Sequence, residues 1–139
     1  MNTQQKILAF LAQQEECVIA TACDNVPEAA IVGFSESPSL ELVIGTSSAT
    51  RKYRNITKNP QVAVVIGFTG NVTVQFEGIA RLLSGEELER RQKTHFKKLP
   101  EVEHFKNDPG QVYLLLSPTW VRYTDYSQPD PVEELREFA

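Results

Sequence analysis

The stretch from Gln61 to Glu77 restricts the fold of this chain more than any other. Gln61–Phe68 is dense in β-branched residues; after a break, Val72, Val74 and Phe76 alternate with Thr73, Gln75 and Glu77. A period of two puts alternate side chains on opposite faces of a strand and does not fit a helix. Thr69-Gly70-Asn71 turns the chain between the two runs. The other segments read as further short strands. Cys17–Cys23 and Glu28–Phe34 flank the turn signal Asp24-Asn25-Val26-Pro27 and form a hairpin. Leu40–Gly45 is a third strand, and Ile79–Leu83 extends the Val72 strand past a bulge at Gly78. Gln111–Leu116 and Thr119–Tyr126 follow, parted by Pro118.

Helices are expected over about 3–15, capped by Asn2 or Thr3, and over Ser47–Lys58, stopping before Asn59-Pro60. Another runs from Ser84 to Pro100, where Ser84 and Glu87 spell a capping box and late Arg and Lys residues suit the helix dipole. A short helix covers Glu101–Lys106, and an acidic tail helix follows Pro131. Strands predominate and do not alternate with helices. That argues against a doubly wound parallel sheet and predicts a mainly β fold: one antiparallel barrel with peripheral helices, a single domain over 1–139.

Charge singles out one segment. The 139 residues carry 14 Lys and Arg against 18 Asp and Glu, a net charge of -4, which is no footprint of a general nucleic-acid binder. Yet no Asp or Glu occurs from Leu42 through Phe76, while Arg51, Lys52, Arg54 and Lys58 fall within eight residues just after Thr46-Ser47-Ser48. With Ser48 as cap, Arg51 takes the third helical position, where a capping box wants Glu and the dipole favours an acid. Free N–H groups, hydroxyls and two cations at a helix start make a phosphate site. The competing reading is a solvated basic face that happens to begin there. Neither GxGxxG after a strand nor GxxxxGK[ST] occurs, so the common dinucleotide and triphosphate loops are absent.

The order Thr46-x4-Arg51-Lys52-x6-Asn59-Pro60-x-Val62-Ala63, followed by Val74-Gln75-Phe76-Glu77-Gly78 and preceded by Ala20-Thr21-Ala22-Cys23-Asp24-x2-Pro27, resembles the pyridoxamine 5'-phosphate oxidase-like FMN-binding split barrels. The resemblance covers roughly residues 5 to 127. It implies a split β-barrel of six to seven strands and bound FMN, with Thr46, Arg51 and Lys52 on the FMN phosphate and Ser47 as a neighbouring donor. It also implies that the second-strand backbone, Ile31, Val32, Gly33 and Phe34, meets the isoalloxazine, with Thr73 or Gln75 approaching it. A homodimer with the flavin near the interface is implied as well. Two departures stand out. Ala30 occupies the place of an Arg found in true pyridoxamine phosphate oxidases, and Trp120-Val121-Arg122 does not match their C-terminal segment. The chain therefore looks like a general member of the family.

The function expected is an FMN-dependent oxidoreductase, since no side chain presents itself as an acid or base and the cofactor carries the redox chemistry. The alternatives are a non-catalytic protein that stores or senses flavin or haem on the same barrel, and a deazaflavin-dependent reductase. The deazaflavin's longer tail asks for basic residues outside 46–54, and no second basic cluster sits near a strand. Neither His95 nor His104 has partners at metal-ligand spacing, so no metal is expected. Trp120, Tyr123 and Tyr126 either wall a flavin or pack the barrel. Cys17 and Cys23 read as free thiols. The first fifteen residues lack a basic n-region, and no apolar run approaches the ~20 residues of a membrane span, so a cytoplasmic setting away from membranes is expected.

Overall fold

A computed structural model describes all 139 residues. Helix α1 (Thr3–Ala12) opens the chain, with Asn2 and Gln5 bonded reciprocally in a capping box. Strands β1 (Glu16–Cys23), β2 (Val26–Gly33), β3 (Ser35–Glu36) and β4 (Leu42–Ser47) precede α2 (Arg51–Lys58). Then come β5 (Gln61–Ile66), β6 (Val72–Leu82), α3 (Gly85–Lys98), a 3-10 helix (Pro100–Asn107), β7 (Gln111–Asp125) and β8 (Val132–Leu135). All pairings are antiparallel, in the order β2-β1-β5-β6-β7-β4-β3, with β8 alongside β7.

This order forces the sheet to curl. Strands β2 and β3 lie at opposite ends of the path, yet a single residue, Phe34, joins them. The two ends of the sheet must meet at Phe34, and the result is a split barrel. Alternation then decides the faces. Cys17, Ile19, Leu42, Ile44, Val62, Val64, Val74 and Phe76 point inward, with Ile7 and Leu11 of α1 and the fully buried Phe34 filling the interior. On the opposite face of β4 and β7, Val43, Tyr113 and Leu115 pack under Leu83 and Phe96 in a second cluster beneath α3.

Several sequence expectations are confirmed at residue level. Asp24 and Asn25 both have positive φ, 51° and 64°, as a two-residue hairpin turn requires. The register of β6 on β7 shifts between Glu77 and Gly78. A Cβ on Gly78 would lie 2.4 Å from the Ser117 carbonyl oxygen, so the bulge needs glycine.

Others are corrected. Gln111–Leu116 and Thr119–Tyr126 are one strand, because Pro118 lies opposite Gly78 at the shift, where its missing N–H breaks no regular ladder. The tail after Pro131 is a strand, β8; its alternating exposure suits the edge it adds to β7, and Glu133 and Glu134 pair with Lys6 and Arg122. Ser84 precedes α3 but makes no side-chain cap, because the expected partner Glu87 is drawn to Arg81, at 2.7 Å through each oxygen.

Phe34→Ala should cost about 3–5 kcal/mol in urea unfolding, since it empties the fully buried core position where the two sheet ends meet. Phe68→Ala, at a residue 53% exposed, should change stability by less than about 0.5 kcal/mol. Equal losses at the two positions would show that the Phe34 ring does not hold the seam.

Candidate functional site

The seam of the barrel is where most of the predicted residues gather. Strand β2 is the edge of the sheet, so one side of its backbone is unpaired. Its ladder with β1 closes through a two-residue turn, and in that register Ala29, Ile31 and Gly33 turn their backbone groups away from β1. Two cavities lie along this free edge. One, of about 160 Å³, includes Ala29, Ala30 and Glu28 with Thr50, Arg51 and Lys52 of the α2 start. The other, of about 280 Å³, includes Ile31, Val32, Gly33, Gly45, His95 and Tyr113. Lys52 lines both.

Helix α2 is docked by side-chain amides: Asn55 Nδ2 donates to Thr21 Oγ1 at 3.0 Å, and Asn59 Nδ2 to the Ala22 carbonyl at 3.0 Å. Its cap is Thr50, whose Oγ1 accepts from the Tyr53 N–H at 3.4 Å. The expected cap, Ser48, is drawn away because its N–H donates to the Gly110 carbonyl at 2.8 Å. Arg51 is therefore the first helical residue, two places earlier in the helix than the sequence reading had it. The N–H groups of Arg51 and Lys52 have no partner in the chain, and the first turn holds no acidic residue.

Hydroxyls converge beside these amides. Lys52 Nζ donates to Thr46 Oγ1 at 3.1 Å, which is also 3.1 Å from Thr50 Oγ1; Ser47 Oγ accepts from the Ala49 N–H at 3.2 Å. None of the ion pairs includes Lys52, and burial pushes its ammonium below the ordinary lysine value. Arg51 reaches Glu28 at only 3.5 Å, with its own side chain 76% exposed. A half-buried cation in no ion pair, unpaired helix-start amides and a hydroxyl pair form an anion-binding set. The donor set fits a phosphate.

Thr46, Ser47, Arg51, Lys52, Ile31, Val32 and Gly33 thus belong to one locality. The Phe34 ring is fully buried in the core under Lys98 Nζ, 3.9 Å from its centroid, and its N–H donates to the Glu15 carbonyl at 3.1 Å. Thr73 and Gln75 lie three strands away on β6, about 14 Å along the sheet. Tyr123 packs in the core against Phe10, Trp120 bonds to Glu134, and Tyr126 is exposed. None of these three lines either cavity.

The sequence reading assigned only Ile31, Val32, Gly33 and Lys52 of the second cavity and missed the rest, Gly45, Tyr113 and His95 among them. Gly45 pairs with Tyr113 across β4 and β7, and a Cβ there would lie 2.8 Å from Tyr113 Cε1, so the ring rests on the glycine. His95, which the sequence gives no partner at metal-ligand spacing, is packed with Nδ1 2.8 Å from Ser35 Oγ, and it also lines the cavity. No three His, Cys, Asp or Glu residues come together to hold a metal, and no helix is long and apolar enough to cross a membrane. Cys17 and Cys23 are free, and burial pushes the Cys17 thiol up to about 12.

A family model described as pyridoxamine 5'-phosphate oxidase matches residues 3–125. General stress protein 26 of Bacillus subtilis (strain 168) is 28% identical over 139 residues, covering 95% of this chain and 97% of its own. A pyridoxamine 5'-phosphate oxidase-related, FMN-binding protein of Nostoc punctiforme superposes with a TM-score of 0.71 at 14% identity, over 100% of this chain and 95% of its own. A heme binding protein of Mycobacterium smegmatis superposes with a TM-score of 0.86 at 15% identity, over 98% of this chain; the chain spans 58% of that protein.

Burial holds the His95 imidazole neutral, its pKa pushed from 6.5 down to about 4, with the Lys98 cation adding to the effect. Above about pH 6.5 neither folded nor unfolded chain protonates this ring. Between 6.5 and 4 the unfolded chain binds a proton that the folded chain refuses, so stability drops as pH falls. The loss should approach about 3 kcal/mol near pH 4. Urea midpoints measured from pH 7 to 4.5 should fall less steeply for His95→Gln than for the parent; parallel slopes would remove His95 as the cause.

Proposed function

The chain belongs to the pyridoxamine 5'-phosphate oxidase family, and from that premise we propose that it is an FMN-binding oxidoreductase. The observation that carries the reading is the Lys52 ammonium, half-buried at a helix start, hydrogen-bonded to Thr46 and in no ion pair, although Glu28 lines the same cavity. A phosphate there would answer the Lys52 charge, the free N–H groups of Arg51 and Lys52, and the Thr46 and Ser47 hydroxyls. The unpaired edge of β2 leads from this point past Ala29 to Ile31 and Gly33, and its amides and carbonyls suit the polar rim of a flat heterocycle. When bound, FMN supplies hydride and electron transfer. The residues of this chain would hold its phosphate, align its ring and keep water from one side of it.

Ala30 lines the phosphate cavity where true pyridoxamine phosphate oxidases carry Arg, so we assign no pyridoxamine phosphate oxidation to the chain. A haem-storing or haem-sensing reading draws on the mycobacterial neighbour, and the histidines support it less. His95 has one ring nitrogen committed to Ser35 in a buried setting, and His104 is exposed on the 3-10 helix. A deazaflavin reading would need a second set of cations along the β2 edge, where Lys52 and Arg51 are the only ones lining either cavity.

We propose a homodimer as the active form. The outer face of β2, β1 and β5 carries a row of Ile31, Val18 and Val65 and a row of Ala29, Ala20 and Ala63, directly across from one another. Ile31 is 64% exposed, which is a costly face to leave in water. The Ile31 row continues into Gln75 of β6. Two copies packed through this face would bring Thr73 and Gln75 of one chain to the ring held along β2 of the other, the one way these residues reach it.

The purified protein should take up one FMN per chain, seen as absorbance near about 450 nm. Replacing both Arg51 and Lys52 by Ala should weaken FMN by about 3–6 kcal/mol, at about 1.5–3 for each charge-assisted contact, and leave riboflavin nearly unaffected. Calorimetry that finds equal losses for the two flavins would dismiss a phosphate role for these residues. Sedimentation should give a dimer, and Ile31→Glu should yield monomers that bind FMN weakly; tight FMN binding by such monomers would rule out a shared site.

A further inference from the structure

The inner part of the second cavity has a chemistry unlike its mouth. Phosphate and β2-edge donors stand at one end, around Lys52. Away from Lys52 the lining is formed by Gly45, Tyr113, His95, Leu99, Val102 and Phe105, with Gln111 beside Tyr113. Lys52 is the only charged residue of the whole lining. The aromatic wall is held rigidly: the Tyr113 ring meets those of His95 and Phe96 edge-on, with centroids 6.0 and 5.9 Å apart.

Two polar functions in this wall lack partners within the chain. The Tyr113 hydroxyl is buried and makes no hydrogen bond of good geometry, although the Gln111 side chain stands close enough to offset part of the rise in its pKa that burial causes. Such an orphan costs on the order of 1–3 kcal/mol, and it persists where something else uses it. His95 spends Nδ1 on Ser35, and Nε2 has no partner in the chain. Two glycines flank the cavity. A Cβ on Gly45 would strike the Tyr113 ring, and one on Gly33 would lie 3.2 Å from Leu99 Cδ1.

We propose that the inner cavity binds the second reactant, the molecule that exchanges electrons with the flavin, and that this reactant is uncharged and mainly apolar, with a hydrogen-bonding group that meets the Tyr113 hydroxyl and His95 Nε2. This rests on the flavin reading for what occupies the mouth. The charge selectivity follows from the lining alone. An anion carried inward would lose its water and gain no cation, because Lys52 is committed at the other end to Thr46 and the phosphate site. A cation would find no carboxylate. An apolar body with one amide or carbonyl would keep its contacts with Leu99, Val102 and Phe105 and satisfy the orphaned hydroxyl.

The test compares 2-naphthamide with 2-naphthoate, nearly the same shape and differing in charge, by equilibrium dialysis against the FMN-loaded protein. The FMN content is measured first on the same sample. The amide should bind at one per chain and perturb the flavin absorption band, and the carboxylate at least about tenfold more weakly. Tyr113→Phe should weaken the amide by about three- to tenfold, the worth of one hydrogen bond, with FMN uptake unchanged. Gly45→Ala, which drives a Cβ into the Tyr113 ring, should abolish the preference. Equal binding of amide and carboxylate, binding of neither, or indifference of the amide to Tyr113→Phe would each overturn the proposal. If the sample takes up no FMN, the flavin reading fails on its own, and the amide–carboxylate comparison on the FMN-free protein still decides the pocket.

Discussion

The rest of the structure depends on the connection through Phe34. A sheet whose terminal strands are joined by one residue has to bring its two ends together, and the buried Phe34 ring fixes where. The ends meet without pairing, since the β2 edge faces β4 and α2 and forms no ladder with them. A closed barrel has no free backbone edge. This one keeps one along β2, and the α2 start, Gly45 and the α3 turn into the 3-10 helix all converge on it. The functional locality is thus the part of the barrel that topology leaves open.

Along that opening the environment changes from ionic to neutral within a few residues. From Ala29 to Gly33 the β2 edge advances about 13 Å. At one end the Lys52 ammonium is desolvated and in no ion pair, and at the other the His95 imidazole is held neutral by burial. Both are consequences of the same low-dielectric setting: burial lowers the basicity of the Lys52 ammonium and, more strongly, that of the His95 imidazole, whose pKa falls to about 4. Divided this way, the seam suits a ligand that is anionic at one end and apolar at the other.

Most of the fold was legible in the sequence because strand periodicity and turn residues are local signals. The β-branched run at Gln61 and the alternation at Val72 placed β5 and β6, and Asp24-Asn25 placed the first hairpin. What misled were signals whose meaning depends on a distant partner. Pro118 read as a break until Gly78 stood opposite it, Ser84 and Glu87 read as a capping box until Arg81 took the glutamate, and the acidic tail read as helical until β7 offered an edge. The ionic end of the site was equally legible, since a charge anomaly is countable along the chain. The neutral end was not. Gly45 and Tyr113 are 68 positions apart, and nothing in either residue announces that one ring will lie on the other.

The cap of α2 lies two residues later than the sequence suggests, and this changes the geometry of the candidate site. With Ser48 as cap, Arg51 would stand third in the helix, its side chain swinging past the first turn. The Gly110 carbonyl takes the Ser48 N–H, so the helix starts at Arg51 and the two cations become its first two residues. That shift matters electrostatically. The first helical N–H groups are the ones no internal carbonyl can satisfy, and here they belong to the same residues that carry the positive charges. Two other helices open on acids, Glu86 and Glu87 in α3 and Glu101 and Glu103 in the 3-10 helix, and α1, which has none in its first turn, carries no cation there until Lys6. At α2 the positive dipole end, two unpaired amides and the Lys52 charge add up, and the one acid nearby, Glu28, reaches Arg51 at only 3.5 Å and forms no ion pair with Lys52. An external anion, whose binding recovers all three at once, is the arrangement that relieves that concentration of positive potential without altering the fold.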